Sequence, residues 1–190
     1  MNRRRLCSDL ARARGRTAIV VRPIAPDDKP ALAAFFAALT PESRKRRFFT
    51  SKAALSAREL AYFTEVDHLS HVALVAEDAT GRLVGLGQYA GWLGDPRTAD
   101  LAVAVTDDHQ GRGLGTRLVR DLVERTGANG LDRLTASTQP WNVASLALLR
   151  RAGFGVASSG GGVVELELAL EQDARGVHAQ GAPRRHAVPP

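Results

Sequence analysis

The chain predicts an α/β fold, a mixed and mostly antiparallel sheet of six to seven strands flanked by helices, and three observations carry that reading. Apolar runs of strand length recur at 71–77, 83–89, 100–105, 131–138 and 163–170, bounded by turn residues. Segments with apolar residues three and four apart stand between or before them, at 32–39, 114–125 and 142–152. Their order, three short helices and a strand meander followed by strand, glycine-rich loop, helix, strand, helix and strand, fits a sheet of mixed direction.

Thr17 to Val21 reads as the first strand, which Arg22-Pro23-Ile24 carries to a turn at Pro26-Asp27-Asp28. Leu32, Phe35, Phe36 and Leu39 then mark a first helix. Thr40 with Pro41 is a cap and first helical position, opening a second helix through Arg44-Lys45-Arg46-Arg47, read as a solvated face able to steer an anionic partner. Ser56 to Glu59 is a capping box before Leu60, Tyr62 and Phe63. Asp78 to Arg82 is a hairpin-length connection, and a loop at Gly94-Asp95-Pro96 precedes the strand Asp100 to Val105. Asn142 caps the last helix and Gly153 ends it.

Charge separates the ends from the middle. The net charge is +6, but residues 1–16 hold six arginines against one aspartate and residues 173–190 hold three arginines against one aspartate, leaving the middle near neutral. The expected organisation is a basic, disordered segment 1–16, a folded domain 17–172 and a disordered tail 173–190. A binder of nucleic acid through Arg-rich tails is the weaker reading, so no specific nucleic-acid partner is expected. No segment is apolar for long enough to span a membrane, the Arg-rich start lacks the apolar region of a secretory signal so none is expected, and the single Cys7 forms no internal disulfide. The composition fits a cytoplasmic protein, monomer or homodimer, with no membrane partner.

The run Val105 to Thr116, V-T-D-D-H-Q-G-R-G-L-G-T, is the most informative part of the chain. Glycines at alternate positions after a strand and before a helix let backbone N–H groups converge at the positive end of a helix dipole, which suits a pyrophosphate. The spacing G-x-G-x-G is neither G-x-G-x-x-G nor a P-loop, since no lysine precedes Thr116. With Gln110, Gly113 and Gly115 in the named positions, it resembles the Gln/Arg-x-x-Gly-x-Gly/Ala loop of the GNAT acetyltransferases. Asn142 to Phe154 resembles the late signature of the same family. The resemblance extends over Thr17 to Leu170.

That resemblance implies a GNAT-type acyl-CoA N-acyltransferase fold, with acetyl-CoA as cosubstrate and no metal. It assigns cofactor contacts to Val103, Ala104, Val105, Gln110, Gly111, Arg112, Gly113, Leu114, Gly115, Thr116, Asn142 and Ser145. It also implies a splay between the loop-bearing strand and the next, and a tyrosine general acid at the position where this chain has Leu149, which cannot donate a proton. Arg22-Pro23-Ile24, Thr40 to Ser43 with Arg47-Phe48-Phe49, Val66-Asp67-His68 and Ala99 to Val103 look most like the bacterial protein-lysine acetyltransferases, in which a catalytic Glu stands in the place of Asp100.

Acetylating an amine near neutral pH requires removal of a proton from ammonium, whose reference pKa is about 10.4 for lysine, and a poised carboxylate can take it. Asp100, opening its strand on one face with Ala102 and Ala104, is the candidate base. Backbone N–H groups of Val103 to Val105 are candidate oxyanion donors. Glu77 is a reserve base, His109 is read as surface packing, and His68 and His71 lack the setting of a metal site. The expected activity is transfer of acetyl to a primary amine, foremost a protein lysine; the alternatives are a small-molecule amine, or an acyl-CoA sensor without catalysis.

Overall fold

In the computed structural model residues 19–49 and 52–170 are described. The Arg-rich segment 1–16, Thr17 and the tail from 173 onward lie outside the described residues.

Seven strands form one sheet in the order β1-β2-β3-β4-β5-β7-β6. Strand β1 is Val20–Pro23, β2 His71–Glu77, β3 Leu83–Trp92, β4 Asp95–Val105, β5 Arg133–Thr138, β6 Gly155–Gly160 and β7 Val163–Ala169. Every pairing is antiparallel except β4 with β5. The helices are α1 (Lys29–Ala38), α2 (Pro41–Phe48), α3 (Ala57–Thr64), α4 (Leu114–Thr126) and α5 (Val143–Arg151).

The predicted caps form. The Thr40 hydroxyl accepts from Ser43 N–H at the start of α2, and Ser56 with Glu59 makes the reciprocal capping box of α3. Pro23 is tolerated in β1 because that strand lies at the sheet edge, where one side of the backbone needs no partner. Two predicted boundaries move. Asp95 pairs with Trp92, so the expected loop at Gly94 to Pro96 is a tight hairpin turn with Gly94 at φ +89°, and β4 starts at Asp95 rather than Asp100. Strand β6 is the unpredicted one: all six residues are exposed, so Gly-Val-Ala-Ser-Ser-Gly shows no apolar alternation. Its turn, Gly161-Gly162 with both φ positive, sets the hairpin to β7.

Each sheet face has its own core. Leu114, Leu118 and Leu122 of α4 and Leu149 of α5 pack on one face with Leu74, Tyr89 and Leu101, while Leu32, Phe35 and Phe63 of α1 and α3 pack on the other with Ala73, Val75 and Leu86. Gly85 and Gly87 of β3 permit the first contact, since a Cβ there would stand 3.0 Å from Leu118 Cδ1 or 3.1 Å from Leu122 Cδ1. The buried Asp28 before α1 is held by the Arg22 guanidinium at 2.8 and 3.0 Å and by Ala25 N–H at 2.8 Å. No helix among the described residues is long and apolar enough to cross a membrane.

Candidate active site

Strands β4 and β5 pair for only three residues each, Thr98 with Arg133, Ala99 with Leu134 and Asp100 with Thr135. Beyond that rung β4 continues to Val105 and β5 to Thr138 without a ladder, so the strands diverge and their facing main-chain edges lack strand partners. A cavity of about 1320 Å³ opens along the fork, larger than the roughly 300–1,000 Å³ of a usual small-molecule site. It has room for a long ligand and a second, smaller one.

At the far end of β4 the backbone enters the turn Asp107–His109 and the glycine loop. Gly111 and Gly113 have φ of +70° and +81°, and nothing lies within 4 Å of where their Cβ atoms would stand. This bare backbone leads directly into the N-terminus of α4, the arrangement that favours an anion. Gly115 has a different reason to be glycine: a Cβ there would lie 3.3 Å from Leu148 Cδ2, so it sets the approach of α4 and α5. Gln110 folds back, its Nε2 donating to Val105 O at 3.0 Å. Asp107 accepts from Ser43 Oγ at 2.9 Å and from Thr40 N–H and Oγ1 at 3.2 Å each, tying the loop to the start of α2.

Every residue expected to touch the cofactor lines the cavity except Arg112, which points to solvent. Asn142 does so while capping α5, its Oδ1 accepting Ser145 N–H at 3.3 Å. His109 is buried rather than at the surface, because Thr106 Oγ1 at 3.3 Å and Asp108 Oδ1 at 2.9 Å hold its Nδ1. Leu149 packs in the core and borders the cavity; of the two tyrosines, Tyr62 of α3 lines it and Tyr89 is fully buried on the other face.

Asp100 stands at the apex of the fork, in the middle of β4 rather than at its start. Its carboxylate reaches the cavity, and Thr135 Oγ1 donates to Oδ1 at 3.1 Å. Although Asp100 is exposed to the open cavity, the protein packed around its carboxylate desolvates it and raises its pKa above the ordinary aspartate value; the Thr135 bond and the Arg47 charge oppose the rise, and Glu165 adds to it. A carboxylate made more basic in this way is suited to accept a proton. Glu77 is not a reserve base: it accepts from Arg22 Nε at 2.9 Å near the β1 edge and does not border the cavity.

The run Arg44 to Arg47 is not a solvated face. Arg44 reaches back to the carbonyls of Ala37 at 2.8 Å and Leu39 at 3.0 Å and covers the Phe36 ring, Arg46 pairs with Glu42 and lies over Trp141, and Arg47 turns into the cavity. Helix α2 packs on β4, so a residue one turn after the buried Ser43 has to face the site. Gln88 was also missed. Its partner in register is Ala102, which puts it on the Asp100 face, and its Oε1 is buried without a hydrogen-bond partner. The signal was a lone amide within an apolar strand. Exposed Phe49, Trp92 and Leu93 form the rim. Among the described residues no cluster of His, Cys, Asp or Glu could hold a metal, and His71 packs against Tyr62 with ring centroids 4.7 Å apart.

Residues 32–154 match the family model described as the acetyltransferase (GNAT) family. An L-methionine sulfoximine/L-methionine sulfone acetyltransferase of Pseudomonas paraeruginosa is 38% identical over 101 residues, 52% of this chain and 59% of that enzyme, so the chain spans somewhat over half of this relative's length. The GNAT domain of S. lividans PAT superposes with a TM-score of 0.74 at 29% identity, covering 81% of this chain and 97% of that domain. The fold is likewise that of yncA from Salmonella typhimurium, solved with its cofactor acetyl-CoA, at a TM-score of 0.69 and 22% identity over 83% of this chain and 97% of that one.

Proposed function

The chain belongs to the GNAT family of acetyltransferases, and on that premise we propose that it transfers acetyl from acetyl-CoA to a primary amine with Asp100 as general base. The observation that carries this reading is the fork whose apex is Asp100 and whose open end meets the bare backbone of Gly111 and Gly113. The CoA pyrophosphate lies against that loop and the N-terminus of α4, and the pantetheine arm runs down the fork between β4 and β5. The thioester then reaches the apex, where unpartnered N–H groups on the β5 side of β4 stabilise the oxyanion.

Asp100 takes one proton from the acceptor ammonium. The free amine attacks the thioester carbon, the N–C bond forms, the nitrogen gives up its second proton to solvent, the C–S bond breaks, and CoA leaves as thiolate. Leu149 offers no proton, so solvent protonates the thiolate. A cytoplasmic site of action, where acetyl-CoA is available, is part of the same reading.

Two acceptors compete. The sequence motifs shared with protein-lysine acetyltransferases favour a lysine side chain. The 38% identity to an enzyme named for methionine sulfoximine and methionine sulfone favours a small amine. Calorimetry with acetyl-CoA, then thiol release with lysine-containing proteins and with small amines, tests the whole. Heat of binding and turnover of an amine are expected; absence of acetyl-CoA binding would overturn the assignment, and binding without turnover of any amine would leave a sensor.

A further inference from the structure

Arg47 is a cation without a counterion. Its Nε and Nη2 are shielded from solvent and have no hydrogen-bond partner, and no ion pair joins it to any described residue. The neighbouring cations differ in having a carboxylate partner: Arg46, although its Nε is also unpartnered, pairs with Glu42, and Lys52 with Glu59 at 2.6 Å. Arg47 has the face of Phe48, 4.8 Å from its guanidinium carbon, and the fields of Asp100 and Tyr62, with a bridge to neither. Burial lowers its pKa to about 10, which still leaves it charged at neutral pH.

A buried charge left in this state costs stability, so a fold that keeps it points to a ligand that completes it. The CoA pyrophosphate already has its donors in the bare glycine-loop backbone and the N-terminus of α4, whereas the carboxylate whose field reaches Arg47 is that of Asp100. What remains is the acceptor. Arg47 and Asp100 line the same cavity, a cation and a carboxylate close enough to affect each other, with the Gln88 Oε1 also lacking a partner. Such a pair suits a molecule bearing ammonium and carboxylate together.

We propose that Arg47 receives the carboxylate of a small α-amino acid whose amine is presented to Asp100. This rests on the acetyltransferase reading and names the substrate class of that site. A lysine side chain within a protein carries no carboxylate beside its amine, and a protein N-terminus carries none either.

The test uses the full chain loaded with CoA. Calorimetry is run with the proteinogenic amino acids and L-methionine sulfone, each against its own primary carboxamide. At least one acid should bind about 10- to 100-fold more tightly than its amide, the range of a charge-assisted hydrogen bond. Arg47→Gln should abolish that preference and raise the acceptor KM more than it lowers kcat, leaving the KM for acetyl-CoA unchanged; Arg47→Lys should keep part of the preference. Arg47→Met should raise the melting temperature of the unliganded protein, whereas an arginine with a structural role would lower it. Acids and amides bound alike, or not at all, overturn the proposal, as does an Arg47→Gln loss confined to acetyl-CoA. Failure of the parent reading is separate: it appears as absence of acetyl-CoA binding.

Discussion

Asp100 and Thr135 form the last rung of the parallel pairing between β4 and β5, and the Thr135 hydroxyl donates to the Asp100 carboxylate at 3.1 Å where the strands part. The apex of the fork is therefore a hydrogen-bonded acid whose position is fixed by sheet register rather than by a loop. Replacing it tests its role without disturbing that register.

Asp100→Asn should leave acetyl-CoA affinity nearly unchanged and lower kcat by about 10²-fold or more, the usual scale for a general base. It should also raise the melting temperature at pH 7. A carboxyl whose folded pKa is raised contributes stability below its unfolded pKa and loses it as pH rises through the folded value, so at pH 7 the charged group is a liability. Thiol-release kinetics and a thermal melt check both; unchanged turnover rejects Asp100 as base.

The acid limb of kcat/KM should lie above the ordinary aspartate pKa of about 3.9, because burial raises Asp100. Thr135→Val removes a bond to the charged form and should move the limb upward. Glu165→Gln removes a like charge and should move it downward. A pH series on the three proteins reads the signs, and shifts in the same direction would reject this account.

Strands and helices were legible wherever one face is buried, because burial imposes the period: β2, β3, α1 and α4 stand where the apolar spacing puts them. Strand β6 was not, because an all-exposed edge strand carries no such pattern. The glycine loop was legible as a cradle, but Gly115 differs from Gly111 and Gly113 only in what α5 brings against it. Arg47 was hidden within a basic run, since charge in sequence looks the same whether a helix turns it to water or to a cavity. Only the packing of α2 on β4 separates Arg47 from Lys45, which is exposed.

The two kinds of glycine should respond differently. Gly113→Ala places a side chain at φ +81° in open space, so it should cost about 1 kcal/mol of stability and weaken acetyl-CoA binding about tenfold. Gly115→Ala requires Leu148 to yield by a few tenths of an ångström within a helix that gains from alanine, so stability should change by less than about 1 kcal/mol. Denaturant melts and acetyl-CoA titrations separate them; equal effects would mean that the loop has one glycine role, not two.

Asp107 ties the loop to α2, so it is where cofactor loop and acceptor helix are mechanically joined. Burial works against its charge, but bonds from Thr40 N–H and from the Ser43 and Thr40 hydroxyls outweigh burial and hold its pKa below the usual value. Its contribution is therefore present above the unfolded pKa and lost as pH falls through the folded one. Asp107→Ala should cost about 1 kcal/mol at pH 7, the scale of a helix cap, and flatten the stability profile between pH 4 and lower values. Because Arg47 lies one turn beyond Ser43 on the same helix, the variant should also raise the acceptor KM while Asp100 is untouched. Stability lost at pH 7 with an unchanged acceptor KM would show that α2 holds Arg47 in place without the loop.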